Sequence, residues 1–122
     1  MYYFFRVRRR PAGGHKQYLK YREQARALVH AQVAKINQRY NFPVGRIAIK
    51  NHRSRWGSCS KKHNLNFNYK ILFLPERLAE YIVAHELCHL GEFNHSPKFW
   101  DLVARFAPDY RERVRELRTH RC

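Results

Sequence analysis

Between Pro75 and Gly91 the chain runs from Glu76 to Leu90 without a helix breaker. Pro75 suits the first position of a helix, Glu76 favours the positive end of its dipole, and Gly91 supplies the stop. The predicted helix carries Ile82 and Val83, β-branched residues suited to packing on a sheet, and just after them His85, Glu86 and His89. A fold for this chain must therefore seat one helix against a sheet and still find partners for two imidazoles and a carboxylate on that helix.

The remaining elements point to an α+β domain. Leu19, Ala25, Ala27, Leu28, Ala31, Val33, Ala34 and Ile36 recur among polar residues between His15 and Tyr40, predicting a long N-terminal helix that starts after Gly13 and Gly14 and stops at Asn41, Phe42 and Pro43. Val44 to Lys50 reads as a short strand, and residues 51–62 as a Gly- and Ser-containing connection. Leu65, Phe67 and Tyr69 alternate with Asn64, Asn66 and Asn68, predicting a half-buried strand with its asparagines outward, and Ile71 to Leu74 is expected to continue that sheet. Ser96 and Pro97 open a further helix through Phe99, Trp100, Leu102, Val103 and Phe106, and a last helix is expected from Pro108 to about Arg118. With 122 residues, a single domain over 1–122 is expected, with a basic segment at 1–14.

Composition narrows the class. Lys and Arg number 25 against 9 Asp and Glu, a formal charge of +16, so acidic substrates or partners suit the chain. Hydrophobic residues at 44% separate it from a disordered basic tail. No apolar run approaches the ~18–20 residues of a membrane span, and the order of the apolar Met1–Phe5 before Arg6–Arg10 is the reverse of a secretory signal. Cys59, Cys88 and Cys122 are odd in number and form no CxxC pair, so reduced thiols and a cytoplasmic monomer are expected.

His85, Glu86, Leu87, Cys88 and His89 spell HExxH. Residues four apart on a helix differ by about 40° around the axis, so His85 and His89 share a face and can hold one cation, with Glu86 beside it as a base rather than a ligand. Neutral imidazoles suit Zn²⁺, and a carboxylate next to the ion can take a proton from the water it polarises. A catalytic zinc uses three protein ligands and one open position. His95 is the favoured third ligand, brought back by a left-handed turn at Gly91. The rival is a carboxylate from Glu92, Asp101, Glu112 or Glu116.

Ser54-Arg55-Trp56-Gly57-Ser58-Cys59, then Leu74-Pro75 opening the helix that ends in His85-Glu86-Leu87-Cys88-His89-Leu90, then Asn94-His95-Ser96 with Phe99-Trp100, resembles the YgjP-like metallopeptidase domain. The sequence is more distantly similar to SprT-like zinc metalloproteases. The resemblance covers roughly residues 44–118. It implies a compact zincin-like fold with a zinc ion on His85, His89 and His95, with Glu86 as catalytic glutamate, and with peptide or protein substrates. The usual zincin glycine at position 92 is Glu92 here.

Other residues admit two readings. Arg55 and His52 are candidate donors to charge on an attacked carbonyl, and Asn66 and Asn68, with Asn64, are candidate partners for an extended peptide; against this, His52 reads as a surface histidine and the asparagines as a solvated sheet face. Trp56 and its neighbours either line a cleft or form a packed turn whose glycine permits an unusual backbone angle, packing being favoured for Trp56. Cys59 and Cys88 read as buried inert thiols, Cys122 as an exposed one, and Phe99 and Trp100 as anchors of the later helix. The arginines at 8–10 and 111–121 suit either nucleic acid, or another polyanion, or plain solvation. Two rival functions are a metal-dependent hydrolase of nucleotides or other phosphate esters and a basic nucleic-acid-binding module with a structural zinc.

Overall fold

The computed structural model describes the backbone of residues 2–6 and residues 14–52 and 54–120 in full. Most of the basic segment at 1–14, including Arg8–Arg10, lies outside the described residues, as does Cys122. The elements are β1 (Tyr2–Arg6), α1 (His15–Asn37), β2 (Ile47–Lys50), β3 (Arg55–Ser60), β4 (Leu65–Asn68), a 3₁₀ turn (Tyr69–Phe73), α2 (Glu76–Cys88), α3 (Pro97–Phe106) and α4 (Tyr110–Leu117). This is the expected α+β architecture with a long N-terminal helix, a small sheet, a motif-bearing helix and C-terminal helices. Among the described residues no helix is long and apolar enough to cross a membrane.

The strands form one mixed sheet in the order β1-β3-β4-β2. β3 and β4 are an antiparallel hairpin with Gly57 opposite Phe67, Ser58 opposite Asn66 and Cys59 opposite Leu65. β2 pairs with β4 in parallel, and β1 closes the outer edge of β3 antiparallel, with Tyr3 opposite Cys59 and a bulge between Phe4 and Arg6. Leu65, Phe67 and Ile49 face a core completed by Ala25, Val29, Val33 and Ile36 of α1 and by Leu78, Ile82 and Val83 of α2. The packing of α1 and α2 on one face of the sheet thus sets where the motif helix lies.

Several expectations require correction. α1 ends at Asn37, because the Asn37 side chain brackets Phe42, accepting from its N–H and donating to its carbonyl, both at 2.9 Å, while Asn41 takes the left-handed φ of 59°. The Gly- and Ser-containing residues 51–62, read without a strand, contain β3. Residues 71–74 do not extend the sheet: Asn68 accepts the Lys70 N–H and starts the 3₁₀ turn that Tyr69 also enters. Asn68 itself is fully buried, donating to the carbonyls of His52 and Arg55, so the asparagine row is not a solvated face.

Candidate metal centre

The motif helix supplies two imidazoles one turn apart. His85 lies inside α2 and is fully buried, whereas His89 stands at the C-cap, where the backbone tightens through His89 N–H to the Glu86 carbonyl and Leu90 N–H to the Leu87 carbonyl. α2 therefore ends before the expected Leu90. The chain does not turn through a left-handed glycine, since no described glycine has positive φ. Gly91 is needed for space instead: a Cβ there would sit 2.6 Å from the Phe42 ring and 3.0 Å from Leu102. With that close approach allowed, residues 92–95 fold back, and the Ser96 hydroxyl, accepting the Phe99 N–H, starts α3 directly after His95.

The result brings His85, His89 and His95 together. One ring nitrogen from each lies within 4.8 Å of the others, and His85 Nε2 to His95 Nε2 is 3.2 Å. Tetrahedral zinc with Zn–N of 2.0–2.1 Å requires nitrogens about 3.3–3.4 Å apart, so His85 and His95 already match such an ion, and the set as a whole, within 4.8 Å, fits it once the rings close around it. His89 Nδ1 donates to the Glu92 carbonyl at 3.2 Å, a contact that leaves Nε2 as the unprotonated nitrogen. Among the described residues no other set of three His, Cys, Asp or Glu side chains comes together this way. Of the rival carboxylates, Glu116 instead pairs with Arg77, and Glu92 contributes its backbone carbonyl.

Aromatic rings hold the imidazoles in place. Phe99 is fully buried and stacks on His89 at 4.3 Å and 19°, and it contacts His85 and His95 as well. Trp100 lies 5.4 Å from the His95 ring and stacks on Tyr110 at 4.9 Å. The two residues therefore do more than anchor α3: they wall the histidine cluster.

Glu86 is fully buried with Oε2 3.2 Å from His85 Nδ1, and Oε1 has no hydrogen-bond partner. Burial pushes its carboxyl up to about 8 and pushes His85 down to about 3 and His89 to about 4, with His95 also lowered. The His85–Glu86 contact is short enough for an ion pair, yet in the metal-free chain burial disfavours the charged form of both groups, and we read it as a neutral hydrogen bond there. Neutral imidazoles are the metal-binding form, and an orphaned carboxyl oxygen beside them has the chemistry of a group awaiting a water or a cation.

Gly57 was legible only as a turn glycine, and its role is different. A Cβ at 57 would meet Glu86 Cγ at 3.1 Å and Oε2 at 3.3 Å, so the missing side chain is what admits the carboxyl against β3. Ser58 and Asn66 project from the opposite sheet face, where Asn66 Nδ2 donates to Ser58 Oγ at 3.2 Å. With Lys50, His52 and Arg55 they line a pocket of about 140 Å³. His52 is half-buried there, lowered to about 4 by burial and by Arg55 and Lys50. The structure thus gathers His52, Arg55 and Asn66 with one another, while Asn68 is a backbone bracket. Trp56 is packed, 1% exposed, and the Cys59 and Cys88 thiols are buried, each pushed up to about 12 mainly by burial.

The chain resembles known proteins in the same terms. Aligned with the metallopeptidase zymogen abylysin of Pyrococcus abyssi, it is 26% identical, with 73% of this chain and 87% of that one covered and a TM-score of 0.61. The metallopeptidase zymogen jannalysin of Methanocaldococcus jannaschii shares the fold, at 24% identity, 76% and 92% coverage and a TM-score of 0.59. No curated protein matches the chain. The family described as YgjP-like, metallopeptidase domain, matches residues 8–120. A chain matched over nearly its whole length by that family, on a fold shared with two metallopeptidases, belongs to the YgjP-like metallopeptidases.

Proposed function

We propose that this metallopeptidase is a zinc enzyme of the HExxH type, with His85, His89 and His95 as ligands and Glu86 as general base. The observation that carries the reading is the convergence of three imidazole nitrogens within 4.8 Å beside a fully buried carboxyl. Bound there, zinc supplies Lewis-acid polarisation of the scissile carbonyl and lowers the pKa of water from 15.7 toward about 7. The cluster offers three protein ligands, the number that suits a catalytic rather than a closed structural site.

The chain's own residues do the rest. With a cation held beside it favouring its ionised form, Glu86 would take the proton of the attacking water on its carboxylate and pass it to the departing amine, a role worth roughly 10²–10⁴ in rate. Gly57 leaves the room that seats that carboxylate against β3, and Phe99 stacks on the His89 ring and orients it. Arg55, His52, Asn66 and Asn68 carry no step in this scheme. Phosphate-ester hydrolysis has no glycine-rich phosphate cradle to support it.

The test compares Glu86→Gln with His89→Ala. Glu86→Gln retains stoichiometric zinc and the fold and loses peptide hydrolysis, whereas His89→Ala loses zinc. Unaltered turnover in Glu86→Gln overturns the assignment of the base, and full zinc occupancy in His89→Ala overturns the ligand set.

A further inference from the structure

Beyond the metal centre, α4 carries a charged face that the reaction scheme does not use. Asp109, Arg113 and Glu116 recur at helical spacing along one side, where Arg77 reaches Asp109 and Glu116 and Arg113 pairs with Asp109. Arg111, Arg115 and Arg118 occupy the same spacing displaced by two residues, about 200° around the axis. All three are exposed, and none takes part in an ion pair among the described residues. Arg111 lies over the Tyr110 ring, its guanidinium carbon 5.9 Å from the centroid.

These arginines, with Trp100, Tyr110 and Val114, line a groove of about 450 Å³. The wall shared with the metal centre is Trp100, whose indole is 5.4 Å from the His95 ring on one side and stacked 4.9 Å from Tyr110 on the other. The groove is therefore one ring contact from a metal-ligand candidate. An extended peptide advances about 3.4 Å per residue, so a side chain two or three residues from the scissile bond reaches it. The groove combines an apolar floor that covers methylene groups with guanidinium forks matched to a carboxylate.

We propose that this groove is a specificity subsite that selects peptide substrates carrying Asp or Glu two or three residues from the cleaved bond. The inference rests on the peptidase reading above and adds the substrate class. An acidic side chain is favoured over a nucleic-acid strand because the Trp100 and Tyr110 rings are already engaged with each other, with His95 and with Arg111, whereas single-strand binding stacks bases on free aromatic faces. Arg111, Arg115 and Arg118 bind and orient the substrate and take no part in proton transfer.

Two measurements test it. In the first, the zinc-loaded protein digests a diverse peptide pool and the cleaved sequences are read by mass spectrometry, for the wild-type chain and for the double variant Arg115→Glu/Arg118→Glu. Asp and Glu are enriched at the stated distance for the wild type, and the double variant reverses that to Lys and Arg by about tenfold or more, since like charges now face each other. No acidic enrichment, or an enrichment the variant leaves unchanged, overturns the proposal. In the second, zinc-loaded Glu86→Gln, with and without the two arginine substitutions, is titrated with an Asp-rich decapeptide, its Lys counterpart and a single-stranded oligonucleotide, following tryptophan fluorescence. Selective binding of the Asp peptide, weakened about tenfold by the substitutions, supports the subsite even if no peptide is cleaved, in which case the failure lies with the catalytic reading. An oligonucleotide that binds more tightly than the Asp peptide and depends on the same arginines overturns it in favour of a nucleic-acid surface.

Discussion

Gly57 and Glu86 are in contact across the junction of β3 and α2, so closely that a single added carbon at 57 would press on both the Cγ and the Oε2 of the glutamate. The backbone carbonyl of Asn66 lies equally near, at 3.1 Å from that carbon, so the strand cannot simply shift away. The position of the carboxyl proposed as the base is thus set by an absence of side chain on a strand 29 positions earlier in the chain.

Gly57→Ala is expected to displace the Glu86 carboxyl rather than unfold the domain. Overpacking of this kind costs about 1–3 kcal/mol, and kcat falls about tenfold or more while zinc content holds, because the atoms nearest the intruding carbon belong to Glu86 and the Asn66 backbone and none to an imidazole. Peptide kinetics beside elemental analysis checks this; loss of zinc with the same substitution contradicts it.

Asn68→Ala removes the donor to the carbonyls of His52 and Arg55 and the acceptor for the Lys70 N–H. Leaving such buried groups unpaired costs about 1–3 kcal/mol each where water cannot reach them. The expected result is a fall in chemical-denaturation midpoint, with faster amide hydrogen exchange in residues 68–73 and in the segment before β3. Unchanged exchange there would show that the bracket is not holding these segments.

Stability against pH reports the Glu86 environment in the metal-free protein. Its folded carboxyl is raised to about 8 from an ordinary 4.5 by burial. The folded chain therefore keeps a proton that the unfolded chain releases, and that contribution is full below pH 4.5 and lost as pH rises through about 8. Each pH unit crossed in that window costs about 1.4 kcal/mol at most. Metal-free Glu86→Gln lacks this loss, so its thermal midpoint relative to the wild type should climb between pH 5 and pH 8 and level off above. The depressed His85 and His89 act in the opposite direction, below about pH 6.5, and His89 also feels the Glu86 charge that the substitution removes, so the part of the climb above pH 6.5 is the part that reports Glu86. A difference that stays flat across the window refutes the assigned burial.

How much of the site could be read from the chain depends on how local each feature is. The pairing of His85 with His89 follows from helical pitch alone, and Ser96 followed by Pro97 marks the start of α3 because capping is a matter of adjacent residues. β3 escaped such reading for the opposite reason. Trp56, Gly57, Ser58, Cys59 and Ser60 are all buried, so the strand has no alternation of polar and apolar residues to betray it, and glycine and serine carry little strand preference. β1 was equally hidden, since its pairing partners lie 49 to 58 positions away.

Residue types at short spacing already display the chemistry available: a helix with HExxH, a third histidine six residues on, and a strongly cationic chain. Spacing along a helix is rigid, so residue types at that spacing already imply a shared face. The tertiary structure alone decided which groups that chemistry meets. It brought His95, and none of the four carboxylates, to His85 and His89, set Gly57 under Glu86, and put the Arg111, Arg115 and Arg118 face beside Trp100 rather than against the acids of its own helix. Those choices follow from the burial of α1 and α2 on one side of the sheet and from the close approach of Phe42 to Gly91, contacts between residues far apart in the chain, which no local pattern encodes.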